Sequence, residues 1–269
     1  MFTYFTDRDG RFQLKSLAES AFDPLSRTCR FMLAEEAFHM FVGTSGITRV
    51  VKRTLAVMKA LGSDDPAAVR NAGAIDLPTL QRYINFWFSS SLDLFGAEIS
   101  SNAASYFASS LKGRPDEARF GDHLASEESL RIELPDGKGG VSAEDVPMRS
   151  AMNEVTRSAY VRDCDVGVQR WNRLIGEAGN NFRFNLPSSR FHRSLGVWGD
   201  AHTDPAGCPI TDEQWRLGQG DWLPSAADRA FVGGLMQRVI EPGKVAGWIA
   251  PPEIGINNAP FDYEYVRLN

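Results

Sequence analysis

The chain has 269 residues, 43% hydrophobic and 23% charged, the proportions of a soluble globular protein long enough for one large domain or two small ones. Its formal net charge of −5 leaves no overall basic footprint, which argues against nucleic acid as a partner. Cys29, Cys164 and Cys208 are far apart and odd in number, so a reducing cytoplasm is the expected setting, and no run of about 18 apolar residues is present to span a membrane.

The first residues, MFTYFTDRDG, lack the basic and apolar regions of a signal peptide. They open directly on an amphipathic aromatic segment, as a chain beginning inside a domain would. Phe2, Phe5, Phe12, Leu14, Leu17 and Ala21 predict a helix over 2–21. Asp23-Pro24 supplies an N-cap and a proline at the first helical position, and predicts a helix from Pro24 to Phe41 that ends near Gly43. A Val- and Leu-rich helix follows over 46–61 and stops at Gly62, after which residues 63–66 open a short one. Asp76-Leu-Pro78 starts a long helix that runs to Leu111.

Residues 113–143 are charged and glycine-rich, with IELPDGKGG read as a strand and turn. Another long helix is expected over 144–177. Beyond Gly179, proline, glycine and tryptophan dominate; FRFNLPSSRFHRS (182–194) has the look of a hairpin, and helix is expected at 225–240 alone. The expected architecture is mostly α: a helical bundle over 1–178, then an irregular C-terminal extension over 179–269 containing a short β-hairpin.

Chemistry enters at LAEEAFHMF, residues 33–41. Leu25, Cys29, Met32, Glu36 and His39 recur at helical spacing and share one face whose other members are apolar. A carboxylate and an imidazole on an apolar stripe are costly unless something pairs them. Glu-x-x-His puts both within reach of a single metal ion, one turn apart. The ordinary alternative is a pair at the edge of the stripe, bonded to each other or to solvent; Glu35, one turn from His39, also fits helical adjacency.

A second carboxylate strengthens the metal reading. If the two helices fold back on each other near Phe22–Pro24, Asp7 arrives at the level of Glu36 and His39, and Asp9 fits that level nearly as well. Thr3, Asp7, Gly10, Leu14 and Leu17 form a helical stripe, with Gly10 leaving space beside the site. The string DRDG starts like a calcium loop but lacks the third acidic position and the terminal glutamate. A helical di-iron site takes one carboxylate from each of two helices and a Glu-x-x-His from each of two others. Of the four histidines, His39, His123, His192 and His202, His39 alone follows a glutamate by three residues. Glu154-Val-Thr-Arg157 carries arginine where a ligand would stand. One aspartate and one Glu-x-x-His make half a di-iron site.

The segments FTYFTDRDG, LAESAFDPLSRTCRFMLAEEAFHMFVG, LDLFGAEISSNAA, DWLPSAADRAFVGGLM and EPGKVAGWIAPP resemble the oxygenase subunit of the benzoyl-CoA 2,3-epoxidase family. The resemblance runs from residue 2 to the C-terminal VRLN. Family chains are considerably longer, so it implies that this one corresponds to their C-terminal part, with the missing N-terminal part of the same subunit supplying the other carboxylate and Glu-x-x-His. It implies a ferritin-like, mostly helical fold with Asp7, rather than Asp9, as an iron ligand, together with Glu36 and His39, and it favours Glu36 over Glu35. Phe38 stands where family members tend to have a polar residue.

The activity implied is epoxidation of the aromatic ring of benzoyl-CoA with O2 in aerobic benzoate degradation. Electrons come from NADPH through a separate flavin and iron–sulfur reductase. Phe2, Phe5, Phe31, Phe38 and Met40 are candidates for shielding the site from water, or for plain core packing. For the CoA phosphates, candidate cationic groups are Arg49, Lys52 and Arg53, and Arg183, Arg190, His192 and Arg193. Asn102, within SSNAAS, and Asn153 place uncharged amides on helices expected to face the interior, where the thioester or pantetheine lies. The chain alone is expected to be inactive. The alternatives from other classes are a helical acyl-CoA-binding or interaction module with a vestigial half-site, and a ferritin-like storage protein, which the long non-helical tail disfavours.

Overall fold

A computed structural model describes residues 1–113, 128–240 and 246–254. It is mostly helical, with one two-stranded antiparallel hairpin. Helix α1 (Phe2–Ala18) and the long α2 (Asp23–Leu61) form a helical hairpin. Asp23 is the first residue of α2 rather than its N-cap, a position that Phe22 takes with no side-chain cap, and Pro24 follows in the first turn; Gly62, at φ 61°, ends the helix in the left-handed conformation that glycine adopts without a Cβ penalty. The short α3 (Pro66–Asn71) and α4 (Leu77–Leu92) are each capped by an aspartate, Asp65 accepting from Ala68 N and Asp76 from Thr79 N. Then come α5 (Ser101–Ala108), strands β1 (Ser129–Pro135) and β2 (Val141–Pro147), α6 (Met152–Glu177), α7 (Asp212–Trp222) and α8 (Ala226–Leu235).

Glycine at 43 does not end a helix. The two helices expected over 24–41 and 46–61 are one, with Gly43 and Gly46 inside it. A Cβ built at Gly43 would lie 2.7 Å from Tyr4 N and 2.8 Å from the Thr3 carbonyl carbon and oxygen. The missing side chain therefore lets the α1 backbone press directly on α2. On its other side α1 meets Gly167 of α6, whose absent Cβ makes room for the Tyr4 ring; the Tyr4 hydroxyl donates to Cys164 O at 3.0 Å. These contacts fix α1 between α2 and α6.

Four elements, α1, residues 47–58 of α2, α4 and α6, enclose the main core of Tyr4, Phe5, Val51, Ile84, Phe88, Tyr160 and Trp171. Phe5 and Phe88 meet edge to face at 6.1 Å, and Phe88 stacks on Tyr160 at 6.0 Å. Leu14, Ala18 and Cys29 form a smaller cluster between α1 and the start of α2. Met32, expected on the same inward stripe, is 46% exposed. Four-residue steps from Cys29 carry the inward line to Leu33 instead.

Four further differences lie along the chain. The long helix expected over 78–111 breaks after Leu92 into a 3-10 turn and Gly96 at φ 87°, before α5 begins. Residues 144–147 belong to β2, so α6 starts later than expected. The hairpin lies at 129–147, with Ser129 opposite Pro147 and Pro135 opposite Val141, and not at 182–194. There side-chain amides take the place of a partner strand: Asn172 bonds both main-chain groups of Phe184, and Gln81 both of Asn185. Helix α7 was not expected. Its signal was the Thr211/Gln214 capping box, in which each side chain bonds the other's backbone N–H. Phe184 belongs to the main core, and Phe231, Leu235 and Trp248 of the C-terminal segments pack against it.

Candidate metal centre

The turn at 19–22 sends α2 back along α1, so a residue early in α1 meets one about a dozen positions into α2. This brings Asp7, Glu36 and His39 together, one donor atom from each lying within 4.8 Å of the others. His39 Nδ1 is 3.7 Å from Glu36 Oε2 and 3.9 Å from Asp7 Oδ2, too far for hydrogen bonds. Glu36 Oε2 is buried with no hydrogen-bond partner. Burial pushes the Glu36 carboxyl above its ordinary range, and the neighbouring Asp7 charge pushes the same way. Gly10 lies beside Glu36, 3.8 Å from an added Cβ to Oε1, as the stripe on α1 suggested.

The two alternatives point elsewhere. Asp9 is 4% exposed and accepts from Gln13 Nε2 at 3.4 Å; burial raises its carboxyl to about 7. Glu35 is exposed. A buried, unpartnered carboxylate oxygen facing an imidazole and a second carboxylate is a costly arrangement in an apolar seam. An ion bonded at about 2 Å to each donor would resolve it. Two hard oxygens and one imidazole suit iron or manganese. Among the described residues, this is the group of His, Cys, Asp and Glu side chains that converges in this way.

The surroundings are open on one side. Phe31, Phe38 and Phe41 are 75%, 64% and 67% exposed, with Met32 and Val42 beside them. Of the residues expected to shield the site, Phe5 is in the core, Phe2 stands edge-on to Trp87 at 5.5 Å, Met40 is half-buried, and Phe31 and Phe38 face outward. Phe31, Phe38 and Phe41 recur at helical spacing and so form one exposed apolar face.

The cationic residues do not converge on one open site. Arg49 and Arg53 donate to the carbonyls of Ala250 and Gly247 at 2.7 and 2.6 Å, and Lys52 pairs with Glu253. Arg183 bonds the carbonyls of Asn180 and Phe182. Arg190 pairs with Glu133 and lies over the Trp198 ring. His192 is held by Ser89 Oγ at 3.1 Å and stacked on Trp215, and burial lowers its proton affinity. Arg193 joins a buried network that the sequence reading missed: it contacts Asp93 and Glu98 at 2.6 and 2.8 Å, while Arg157 bonds Glu98, Glu154 and the Gly96 carbonyl. The arginine at the ligand position of Glu154-x-x-Arg157 was its visible trace. Asn153 donates to Ala97 O at 3.0 Å, and Asn102 is exposed rather than interior. His123 lies outside the described residues.

No helix among the described residues is long and apolar enough to cross a membrane. No protein-family model matches the chain. Benzoyl-CoA oxygenase component B of Aromatoleum evansii is 54% identical over 270 aligned positions, covering 100% of this chain. The chain spans 57% of that relative's length. The resemblance read from scattered segments thus holds along the whole chain.

Proposed function

We propose, from a chain that matches benzoyl-CoA oxygenase component B from end to end, that it is part of an oxygenase of that kind and carries half of a di-iron centre. Asp7, Glu36 and His39 are the half-site, in a ferritin-like arrangement whose other helix pair comes from the portion of the relative without a counterpart here, taken to be N-terminal. The observation that carries this reading is the unpartnered Glu36 oxygen beside His39 and Asp7, set against the exposed face of Phe31, Phe38 and Phe41. A second helix pair lying on that face would bring the remaining ligands and bury the phenylalanines at once.

When bound, iron supplies the activation of O2 that attack on the aromatic ring of benzoyl-CoA requires. The reduction is driven by NADPH through a separate flavin and iron–sulfur reductase, in aerobic benzoate degradation in the cytoplasm. The chain's own residues hold the metal and exclude water. Asp7 and Glu36 offer anionic oxygens from facing helices, His39 a neutral nitrogen, and Gly10 leaves the Glu36 carboxylate free of crowding. The α1–α2 seam keeps the donors out of bulk water on one side, and the covering helices do so on the other.

The test is anaerobic ferrous-iron titration of the chain, with Glu36→Ala and His39→Ala as controls. At most about one iron per chain, bound weakly and lost in both variants, is expected, with no NADPH-dependent benzoyl-CoA turnover unless the remaining part of the subunit is supplied. Turnover by the chain alone, or iron uptake indifferent to both substitutions, would overturn the proposal.

A further inference from the structure

Asp7, Glu36 and His39 are half of a pattern that divides evenly in two. A helical two-metal site takes a carboxylate from each of two helices and a Glu-x-x-His from each of two others. Each half is therefore one carboxylate helix and one Glu-x-x-His helix. Helices α1 and α2 are such a half, already joined as a hairpin. Two copies of the chain about a two-fold axis would supply a whole set, because a two-fold contact sets the same patch of each subunit against the other.

Charge makes such a contact depend on metal. Ionised Asp7 and Glu36 give each chain two negative charges at the site, and two such pairs brought together repel. One divalent cation per chain cancels them, leaving the joined site neutral. The hairpin is also open where a second one would lie. Inward, the start of α2 meets α1 through Leu25, Cys29 and Leu33. Outward, Met32, His39 and Val42 recur at helical spacing and are exposed, with Phe31 and Phe38 flanking them. The exposed parts of Phe31, Met32, Phe38 and Val42 amount to roughly 400 Å². That is about half of the roughly 800 Å² that each partner contributes to a standard interface.

We infer that two copies of this chain associate through their α1–α2 hairpins when a divalent cation is present, each hairpin completing the other's donor set. The inference rests on the half-site reading. It gives the exposed face of α2 a self-complementary role, for which the remaining part of the subunit, when supplied, competes.

The 269-residue chain is sedimented anaerobically with and without ferrous iron, and iron uptake is measured at two chain concentrations. A monomer without metal and a dimer holding one iron per chain are expected. Two chains and two ions then combine together, so a hundredfold rise in chain concentration should lower the iron level for half-saturation about tenfold. Phe31→Arg changes an exposed helical position to a residue of higher helix propensity. It should keep the metal-free Tm, hold the chain monomeric and remove the concentration dependence. Asp7→Ala and His39→Ala should lose iron and dimer together. Iron bound equally well at both concentrations by a monomer overturns the association and leaves the half-site standing. A dimer indifferent to iron and to Phe31→Arg also overturns it, since its interface lies elsewhere. No uptake at either concentration, or uptake indifferent to Asp7→Ala and His39→Ala, sinks the half-site reading and this inference with it.

Discussion

Replacing Gly43 by alanine tests how the helical hairpin sets the metal site. The added methyl would sit 2.7 Å from Tyr4 N and 2.8 Å from the Thr3 carbonyl, and both are backbone atoms that cannot swing aside. Ordinary contact begins near 3.4 Å, so α1 must move by about 0.7 Å against α2. Overpacking of this kind costs about 1–3 kcal/mol, while alanine in a helix interior returns about 1 kcal/mol over glycine. The net loss is small, on the order of 0–2 kcal/mol. The consequence at the site is larger. Asp7 lies one turn from Thr3, so it shifts with α1 while Glu36 and His39 stay with α2. Metal–ligand bonds tolerate departures of only about 0.2 Å. Ferrous-iron affinity should therefore fall about tenfold or more while denaturant unfolding shows a near-native protein. Unchanged iron affinity in a folded Gly43→Ala chain would refute the idea that close backbone approach at this glycine sets the level of Asp7.

Three other outcomes follow from particular groups. Burial raises the Asp9 carboxyl from 3.8 to about 7, and the Gln13 amide and Lys112 ammonium only partly oppose it. The folded state then binds the proton more tightly than the unfolded chain, so the group costs nothing below about pH 4 and destabilises increasingly up to about pH 7, by a few kcal/mol. Asp9→Asn should raise stability at pH 8 and flatten the profile between pH 4 and 7 in urea melts; a steeper profile would contradict this. Ferrous iron at a hundred times its dissociation constant should stabilise wild type by about 2.7 kcal/mol, seen as a rise in Tm that is missing in Glu36→Ala. Arg157 is wholly buried and donates to the Leu92 and Gly96 carbonyls as well as to Glu98 and Glu154, so Arg157→Ala should cost about 2–5 kcal/mol through the cavity it opens and the carbonyls it leaves without a donor, Glu98 keeping Arg193 as its cation; a loss under about 1 kcal/mol in denaturant titration would show that the network is not structural.

The sequence made some features plain because they depend on near neighbours. Helical class follows from periodicity over stretches such as 46–61 and 152–177, and Gly62 and Asp76 mark ends that need only local backbone or side-chain chemistry. Other features read wrongly because a local signal had a distant cause. Gly43 looks like a helix stop from its neighbours, yet its use is to admit the backbone of Thr3 and Tyr4, some 40 positions away. The segment 182–194 alternates like a strand, but Asn172 and Gln81 occupy the main-chain groups a partner strand would need. The intramolecular partners of Arg53, a main-chain carbonyl, and of Arg193, a buried carboxylate, were not legible either, since a charge gives no sign of its partner until the chain folds.

At the candidate site the division is the same. Helical spacing alone placed Glu36 and His39 on one face of α2, because one turn is a property of the local chain. Periodicity could not choose between Asp7 and Asp9, or between Glu36 and Glu35, because each pair lies within one turn of the same level. Tertiary structure separates them by direction: Asp7 and Glu36 face the seam between α1 and α2, Asp9 turns into a buried pocket beside Gln13, and Glu35 faces outward. The angle at which one helix meets the next depends on packing contacts between residues far apart in the chain, and that is what only the folded molecule decided.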